Sequence, residues 1–310
     1  MDLSAINPAV LIASLMVAAT PILLAGLGEL VVEKAGVLNL GVEGMMIVGA
    51  ICGFAVAVGT GSPALGFVGG AAGGAMLSLI FAVLTQYLLA NQVATGLALT
   101  LFGLGFSALI GQGYVGIKPP AMPVLDLGSL SDIPGVGTML LRHDAMVYLG
   151  LLAVPAIWAT LTYTRLGLIL RAVGENHDAA HALGYKVVRI RLAVIVFGGA
   201  MAGLGGAYLS LVRVPLWTEG MTAGAGWIAL ALVVFASWRP GRLLLGAWLF
   251  GGTTVLQLNL QAAGVKVPVE YLSMSPYLIT ILVLVVMSSG RSRGALGAPA
   301  ALGQSFHATH

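Results

Sequence analysis

Two histidines in the stretch GENHDAAHALGY, residues 174–185, have the spacing of a helical metal site. His177 and His181 stand four residues apart, which would place both side chains on one face of a helix. The sequence supplies no third ligand near them, and its single cysteine, Cys52, lies in an apolar run. We therefore expect no metal site and no catalytic residue here, and interpret both histidines as polar contacts at a solvated surface.

The sequence lacks a zinc-protease motif and an ATP-binding motif. It contains no H-E-x-x-H, and none of its four lysines follows a glycine, as the ATP-binding motif G-x-x-x-x-G-K-[ST] requires. One G-x-G-x-x-G, residues 111–116, closes an apolar segment instead of joining a strand to a helix, so we interpret it as a turn. We predict that the chain is not an enzyme and binds no cofactor.

The composition indicates the class of protein that must position the polar residues. Hydrophobic residues make up 59% of the 310, charged residues 8%, and the mean hydropathy is +1.01. A soluble domain carries about a quarter charged residues. We therefore predict an all-α polytopic membrane protein, and interpret the net charge of +3 as loop asymmetry instead of a sign of nucleic-acid binding.

The apolar segments predict about nine transmembrane helices, within a range of eight to ten. A span needs roughly 17–25 mostly apolar residues. The segments are 8–32, 43–60, 63–89, 93–112, 145–163, 191–212, 223–238, 243–262 and 273–289. Residues 33–42 are too few to cross and could form a re-entrant turn, which must be buried in protein or line a cavity.

Glycine accounts for 44 residues and indicates closely packed helices. The runs GGAAGGAM (69–76) and GGAMAGLGGAY (198–208) resemble each other, which is weak support for an internal repeat. We expect residues 1–293 to form one transmembrane domain, and residues 294–310 to form a disordered cytoplasmic tail.

The lysines and arginines predict the orientation. If the 164–191 loop is cytoplasmic, ten basic residues lie on that side and four on the other, which agrees with the positive-inside rule. The cytoplasmic ten are Lys34, Arg165, Arg171, Lys186, Arg189, Arg191, Arg239, Arg242, Arg291 and Arg293. The N-terminus is then outside and the C-terminus cytoplasmic.

Residues 176–184 have the features of a short capped helix within the 164–190 loop. Asn176 can cap it, Asp178 suits its positive end, and Gly184 can stop it. Two turns are marginal in water, so the helix needs support. From the residues alone, it is either a docking element for a partner or an ordinary amphipathic helix lying on the membrane.

Three segments resemble the permease subunits of ABC importers. RAVGENHDAAHALGYKVVRIRLAVIVFGGAMAGLGGAYLSL resembles the family segment R-A-x-G-E-N-x-x-A-A-x-x-x-G, and GAGWIALALVVFASWRPGRLLLGAWLFG resembles its late segment. TPILLAGLGELVVEKAGVLNLGVEGMMIVGA is similar to the opening of nucleoside-type permeases. The chain is thus identified as a member of the branched-chain amino acid, simple sugar and nucleoside permease family.

The resemblance implies a coupling helix that receives the movement of an ATPase. Its residues here are Gly174, Glu175, Asn176, Asp178, Ala179, Ala180, Leu183 and Gly184. The family often has proline where His177 stands, a departure that concerns the first turn. The resemblance also implies an ATP-binding subunit that uses ATP and Mg, a second homologous permease, and an extracytoplasmic solute-binding lipoprotein.

Polar and aromatic side chains in the spans are candidates for the substrate path. They could stack on a nucleoside and hydrogen-bond to it, but hydrogen bonds between helices are the alternative for each. The candidates are Asn39, Glu43, Gln92, Thr95, Trp227, Thr253, Gln257 and Gln261.

The function implied is ATP-driven import of nucleosides or related sugar-like solutes across the bacterial inner membrane. Simple sugars or branched-chain amino acids are alternative substrates. A stand-alone secondary carrier is a further alternative, but such carriers usually keep ionisable residues inside their spans. Here the four candidates, Glu29, Glu33, Glu43 and Glu219, all lie at or near segment ends.

Overall fold

The computed structural model describes residues 8–125, 137–262 and 297–307, and seven single residues between 271 and 285. The described residues form ten α-helices joined by short turns. The helices are α1 Pro8–Lys34, α2 Val42–Thr60, α3 Pro63–Ala82, α4 Gln92–Gly111, α5 Ala145–Tyr163, α6 Arg165–Glu175, α7 His177–Ala182, α8 Val187–Tyr208, α9 Ala225–Phe235 and α10 Pro240–Ala262. Short π-helical turns continue α3 to Tyr87 and α8 to Arg213.

Seven of these helices are long and apolar enough to cross a membrane: α1 to α5, α8 and α10. The prediction of an all-α polytopic membrane protein is therefore confirmed. The predicted segment 223–238 differs, because α9 has only 11 residues. Positive φ angles at Gly224 before it and at Ser237 and Trp238 after it bound the helix. The predicted segment 273–289 lies mostly outside the described residues.

The two glycine-rich runs pack directly against each other. The first run lies in α3 and the second in α8, and α2 completes the contact. A Cβ added at Gly74 would lie 2.8 Å from the Cα of Gly203, and one added at Gly53 would lie 2.8 Å from the Cβ of Ala207. The close helix packing predicted from glycine is confirmed at this contact, while the internal repeat stays a prediction.

Several basic residues meet at one end of the bundle, which we call the basic end. Gly36 at the end of α1 lies against the guanidinium group of Arg191, and Gly174 lies against the backbone of Lys34. Arg171 and Arg239 line a common groove with Lys34. The end of α1, α6, the start of α8 and the α9–α10 junction therefore come together here.

Residues 35–41 form a buried non-helical connection that rises into the bundle. The carbonyl oxygen of Met46 lies against Gly206, which follows Arg191 by fifteen residues in α8. At 1.5 Å per residue, this contact is about 22 Å from the basic end. Val42, the first residue of α2, precedes Met46 by four residues, so α2 begins about 16 Å from the basic end. This is about half the thickness of a bilayer core of about 30 Å. Helix α9 runs from the start of α2, where Gly226 contacts Glu43, back to the basic end, where Arg239 follows it.

Residues 297–307, which we expected to belong to a disordered tail, form a packed segment at the basic end. Ala301 N–H donates to the Gly174 carbonyl (2.9 Å), and Gly303 N–H donates to the Gly36 carbonyl (3.1 Å). Phe306 is only 5% exposed and lies in a small apolar cluster with Val173, Ala180 and Val187. Apolar burial and two backbone hydrogen bonds explain why this segment is ordered.

Candidate functional site

The predicted short helix at 176–184 is confirmed in its caps. The Asn176 side chain accepts from Ala179 N–H (2.9 Å) and so begins α7. Gly184 has a φ of +89°, and its N–H donates to the His181 carbonyl (2.8 Å), which ends the helix. Local side-chain and backbone chemistry thus sets both ends of a helix that is only six residues long.

Helix α7 has one buried face and one open face. His177 and Ala180 point inward, and Gly174 before the helix is also buried. The other predicted coupling residues are exposed: Glu175, Asn176, Asp178, Ala179, Leu183 and Gly184. Leu183, just after the helix, is 77% exposed. The arrangement suits docking, and the coupling role itself stays a prediction.

Arg191, at the start of α8, fastens α7 to the rest of the bundle. Its guanidinium group is fully buried and donates to the Ala35 carbonyl (3.1 Å) and to the Gln304 carbonyl (2.9 Å). A third contact joins it to His177 Nδ1 (3.4 Å). One side chain therefore ties together α7, the α1–α2 connection and the C-terminal segment.

The two histidines contact an aromatic ring, which corrects the expectation of solvated polar contacts for His177. The Phe306 ring lies 5.4 Å from the His177 ring and 5.2 Å from the His181 ring, centroid to centroid. Burial under this segment, and then the charge of Arg191, lower the pKa of His177 below its ordinary value. Among the described residues, no cluster of three histidine, cysteine or carboxylate side chains could hold a metal.

A polar cluster surrounds the connection between α1 and α2. Asn39 is fully buried; its N–H donates to Glu29 Oε1 (3.2 Å), and its Oδ1 accepts from Gly41 N–H (3.0 Å). Thr100 donates to the Leu40 carbonyl (3.2 Å). These bonds satisfy backbone groups that no helix pairs, which explains how extended backbone persists at membrane depth.

Gln92 joins this cluster from the start of α4 and keeps a free donor. Its Oε1 accepts from Leu38 N–H (2.8 Å), which fixes the orientation of the amide. Its Nε2 is buried and has no hydrogen-bond partner among the described residues. Thr95, one turn further along α4, is also buried. Leaving such a donor unpaired costs about 1–3 kcal/mol, so Gln92 is a reasonable contact for a bound solute or water.

Glu43 lies at the meeting point of α2 and α9. Its Oε1 accepts from Thr222 Oγ1 (2.6 Å) and Gly224 N–H (2.9 Å), and its Oε2 accepts from Gly226 N–H (2.7 Å). The side chain thus caps the first turn of α9, where carboxylates are favoured. Both carboxylate oxygens of Glu43 are thus occupied by hydrogen bonds within the protein. Glu43 therefore fits the alternative of a hydrogen bond between helices better than the prediction of a residue that contacts the substrate.

Trp227 lines a cavity of about 430 Å³ next to this loop. The other lining residues include Gly224, Phe250, Tyr277 and Ile281. Trp227 is 46% exposed, and the rings of Phe250 and Tyr277 lie edge to face at 5.8 Å. Three aromatic side chains around an open cavity can stack on a flat base or on the apolar face of a sugar.

The remaining predicted path residues form a stripe on α10, which packs against α1, α5 and α9. Thr253, Gln257 and Gln261 are half-buried. The Thr253 hydroxyl donates to the Phe250 carbonyl in its own helix (2.8 Å), whereas Gln261 Nε2 is buried without a partner among the described residues. The structure therefore brings Asn39, Glu43 and Gln92 together and leaves the α10 stripe on a separate helix.

Sequence reasoning missed the structural roles of Glu29, Thr222 and Arg191. Glu29 is 1% exposed inside α1, and we had placed it near a segment end. The rule that ionisable residues inside membrane helices have specific partners could have found it. Thr222 lies in the glycine-containing stretch before α9, and only the fold brings it to Glu43.

Comparisons with known proteins identify a family for the chain. The family model described as "Branched-chain amino acid transport system / permease component" matches residues 11–287. A putative glucose ABC transporter permease protein of Haloferax volcanii is 44% identical over 94% of this chain and 95% of its own. No solved structure matches the chain significantly.

Two relatives carry names that concern nucleosides. A nucleoside ABC transporter permease protein of Lactococcus lactis is 31% identical, and a guanosine ABC transporter permease protein of Bacillus subtilis is 32% identical. Each alignment covers 89% of this chain and 91% of the relative. With a family model that matches most of its length and relatives of matching length, the chain belongs to the family of branched-chain amino acid transport system permease components.

Proposed function

We propose that this protein is the membrane-spanning permease of an ATP-driven importer, in which a separate subunit hydrolyses ATP with Mg. The observation that carries the proposal is α7, whose open face is held in place by the buried guanidinium group of Arg191. A rigidly supported helix with an exposed Leu183 suits a groove in a partner. The further partners proposed are a second homologous permease and an extracytoplasmic solute-binding lipoprotein.

A continuous set of contacts leads from α7 to the middle of the bundle. Arg191 joins His177 of α7 to the Ala35 carbonyl, and residues 35–41 connect this point to Glu43 at the start of α2. Glu43 holds the first turn of α9, and α9 carries Trp227 beside the aromatic cavity. A displacement of α7 by the ATPase would therefore reach the cavity through the buried Arg191 side chain, the backbone of residues 35–41 and the Glu43 carboxyl group.

The proposed substrate is a neutral solute that contains a sugar ring, with nucleosides and glucose as the two candidates. Relatives named for nucleosides and guanosine favour the first, and the relative at 44% identity, named for glucose, favours the second. Aromatic stacking at Trp227 and the free Gln92 donor suit either compound, because both are uncharged and rich in hydrogen-bonding groups.

The proposed orientation places the basic end in the cytoplasm of the cell and the N-terminus outside. The support is the excess of lysine and arginine in the loops on that side. The open face of α7 lies at the same end, where a soluble ATPase could reach it.

The test is copurification of the full chain with candidate ATPase and permease subunits from the same genome. We expect Glu175→Lys and Ala179→Trp to abolish recovery of the ATPase, because both side chains are exposed on the proposed contact face. Glu219→Lys and Ala64→Trp make the same changes at exposed positions toward the opposite end and should leave recovery unaffected. Equal recovery with all four variants would remove the docking role of α7.

A second experiment identifies the solute. The complex reconstituted in vesicles with its binding protein should accumulate labelled guanosine or labelled glucose when ATP is supplied on the α7 side. Excess unlabelled nucleoside and excess unlabelled glucose are then added separately, and the compound that reduces uptake of the label identifies the class of substrate. Absence of ATP-dependent uptake of both labelled compounds would exclude guanosine and glucose as substrates without affecting the copurification result.

A further inference from the structure

A groove at the basic end collects four positively charged side chains. It lies between the end of α5 and the start of α10, has a volume of about 820 Å³, and is lined by Lys34, Arg171, Arg239 and Arg242 together with apolar residues. These four residues come from three separate parts of the chain: the end of α1, helix α6 and the start of α10, which supplies both Arg239 and Arg242. The fold therefore gathers charges that the sequence keeps apart.

The charge in the groove is largely unneutralised within the described residues. Arg239 and Arg242 are exposed, and within the described residues their guanidinium groups make no ion pair or hydrogen bond. Arg171 Nε donates to the Gly167 carbonyl (3.3 Å), and Lys34 Nζ donates to the Gly297 carbonyl (2.8 Å), so both bind uncharged acceptors.

Two acidic groups lie near Lys34, and neither cancels the charge of the arginines. They are Glu33 and Glu175. The Glu33 carboxyl group accepts from the Trp238 indole, and Glu175 lies near the N–H of Ala300 (3.4 Å). The groove therefore remains a site for an anion.

The lower part of the groove is apolar. Its walls there are Val154, Pro155, Trp158, Leu161 and Leu245. Trp158 is 49% exposed and Leu245 is 61% exposed, and both lie on helices that are long and apolar enough to span a membrane. Tryptophan with basic residues above it is the arrangement expected at the level of lipid headgroups.

We propose that this groove binds an anionic phospholipid, with the phosphate between the arginines and an acyl chain along the apolar wall. A soluble phosphate would use the same charges but would make no contact with Trp158 and Leu245 on the apolar wall. Basic pockets between membrane helices are suited to anionic headgroups, and each basic side chain near the surface contributes about a factor of five in affinity. The charge complementarity and the apolar wall together favour the lipid.

The test is native mass spectrometry of the full chain in micelles that contain equal amounts of phosphatidylglycerol and phosphatidylcholine. The wild-type protein should retain phosphatidylglycerol preferentially. The double variant Arg239→Gln/Arg242→Gln should lose that preference by roughly 30-fold, as expected for two basic side chains. The matched control Arg165→Gln/Arg189→Gln removes the same charge from exposed positions outside the groove and should keep it.

Three outcomes would overturn the proposal. The first is equal retention of the two lipids by the wild-type protein, and the second is an equal loss of preference in both double variants. The third is complete displacement of phosphatidylglycerol by excess inorganic phosphate, which would indicate a site for soluble phosphate. The wild-type measurements decide the matter even if the groove variant does not fold.

Discussion

Glu43 shows how one side chain can decide the shape of a membrane helix. Three donors converge on its carboxyl group, and two of them are backbone N–H groups at the start of α9. Without these acceptors, the loop before α9 would carry unpaired donors at membrane depth, which costs about 1–3 kcal/mol for each group. Glu43, which we predicted as part of a substrate path, therefore acts in this structure as the cap of α9.

Replacing Glu43 by glutamine should destabilise the protein by about 1–3 kcal/mol, because an amide NH₂ would face at least one of the three donors. Thermal unfolding in detergent measures the effect. Glu219→Gln makes the same chemical change at an exposed position and should unfold like the wild type. If both variants unfold at the same temperature, the three hydrogen bonds do not stabilise α9.

At the scale of the elements, glycine sets the distance between α2, α3 and α8. Gly203 faces α2 on one side and α3 on the other: a Cβ added to it would lie 3.1 Å from the Cα of Gly74, and its carbonyl lies against Gly49. Helices this close gain van der Waals contact that lipid chains cannot replace. The packing leaves no room for even one methyl group.

Gly203→Ala should therefore cost about 1–3 kcal/mol through overpacking, and should lower the unfolding temperature in detergent. Gly105, inside α4, has nothing within 4 Å of an added Cβ. Gly105→Ala should be neutral or slightly stabilising, since alanine favours the helix. An equal effect of both substitutions would mean that the contact between α3 and α8 is looser than described.

Elements that depend on neighbouring residues could be predicted from the sequence, whereas elements that depend on distant residues could not. The caps at Asn176 and Gly184 depend on residues three positions away, so the sequence alone predicted α7. The half-length of α9 depends on Glu43, about 180 positions earlier, and no local pattern records that. Likewise, the order of residues 297–307 depends on Arg191, which lies 113 positions before Gln304.

At the scale of the whole molecule, the basic end joins three distant parts of the chain. His177 of α7 contacts both Arg191 of α8 and Phe306 of the C-terminal segment, and Arg191 also donates to the carbonyls of Ala35 and Gln304. The charged and titratable groups around His177 are Arg191, Asp178 and His307. Neutral His177 can accept from Arg191, whereas a protonated ring would place a second positive charge beside it.

This contact should make the protein sensitive to acid. The folded state lowers the pKa of His177 below its ordinary value of 6.5. As the pH falls through that value, the unfolded chain takes up a proton that the folded chain resists, so stability decreases. Unfolding temperatures measured at pH 7.5 and 5.5 should differ more for the wild type than for His177→Gln, which accepts from Arg191 but does not titrate. Equal differences would contradict the role of His177.

The short length of α9 constrains how the chain is built into a bilayer. An 11-residue helix preceded by irregular backbone leaves donors that lipid cannot satisfy, so it is not stable there as a separate insertion step. Its acceptors belong to α2, which is synthesised long before it. We therefore expect α1, α2 and α8 to be packed together before residues 214–235 insert, because Glu43 of α2 supplies the acceptors for these donors. Biogenesis of this protein should then be ordered, with the first helices in place before the later ones complete the bundle.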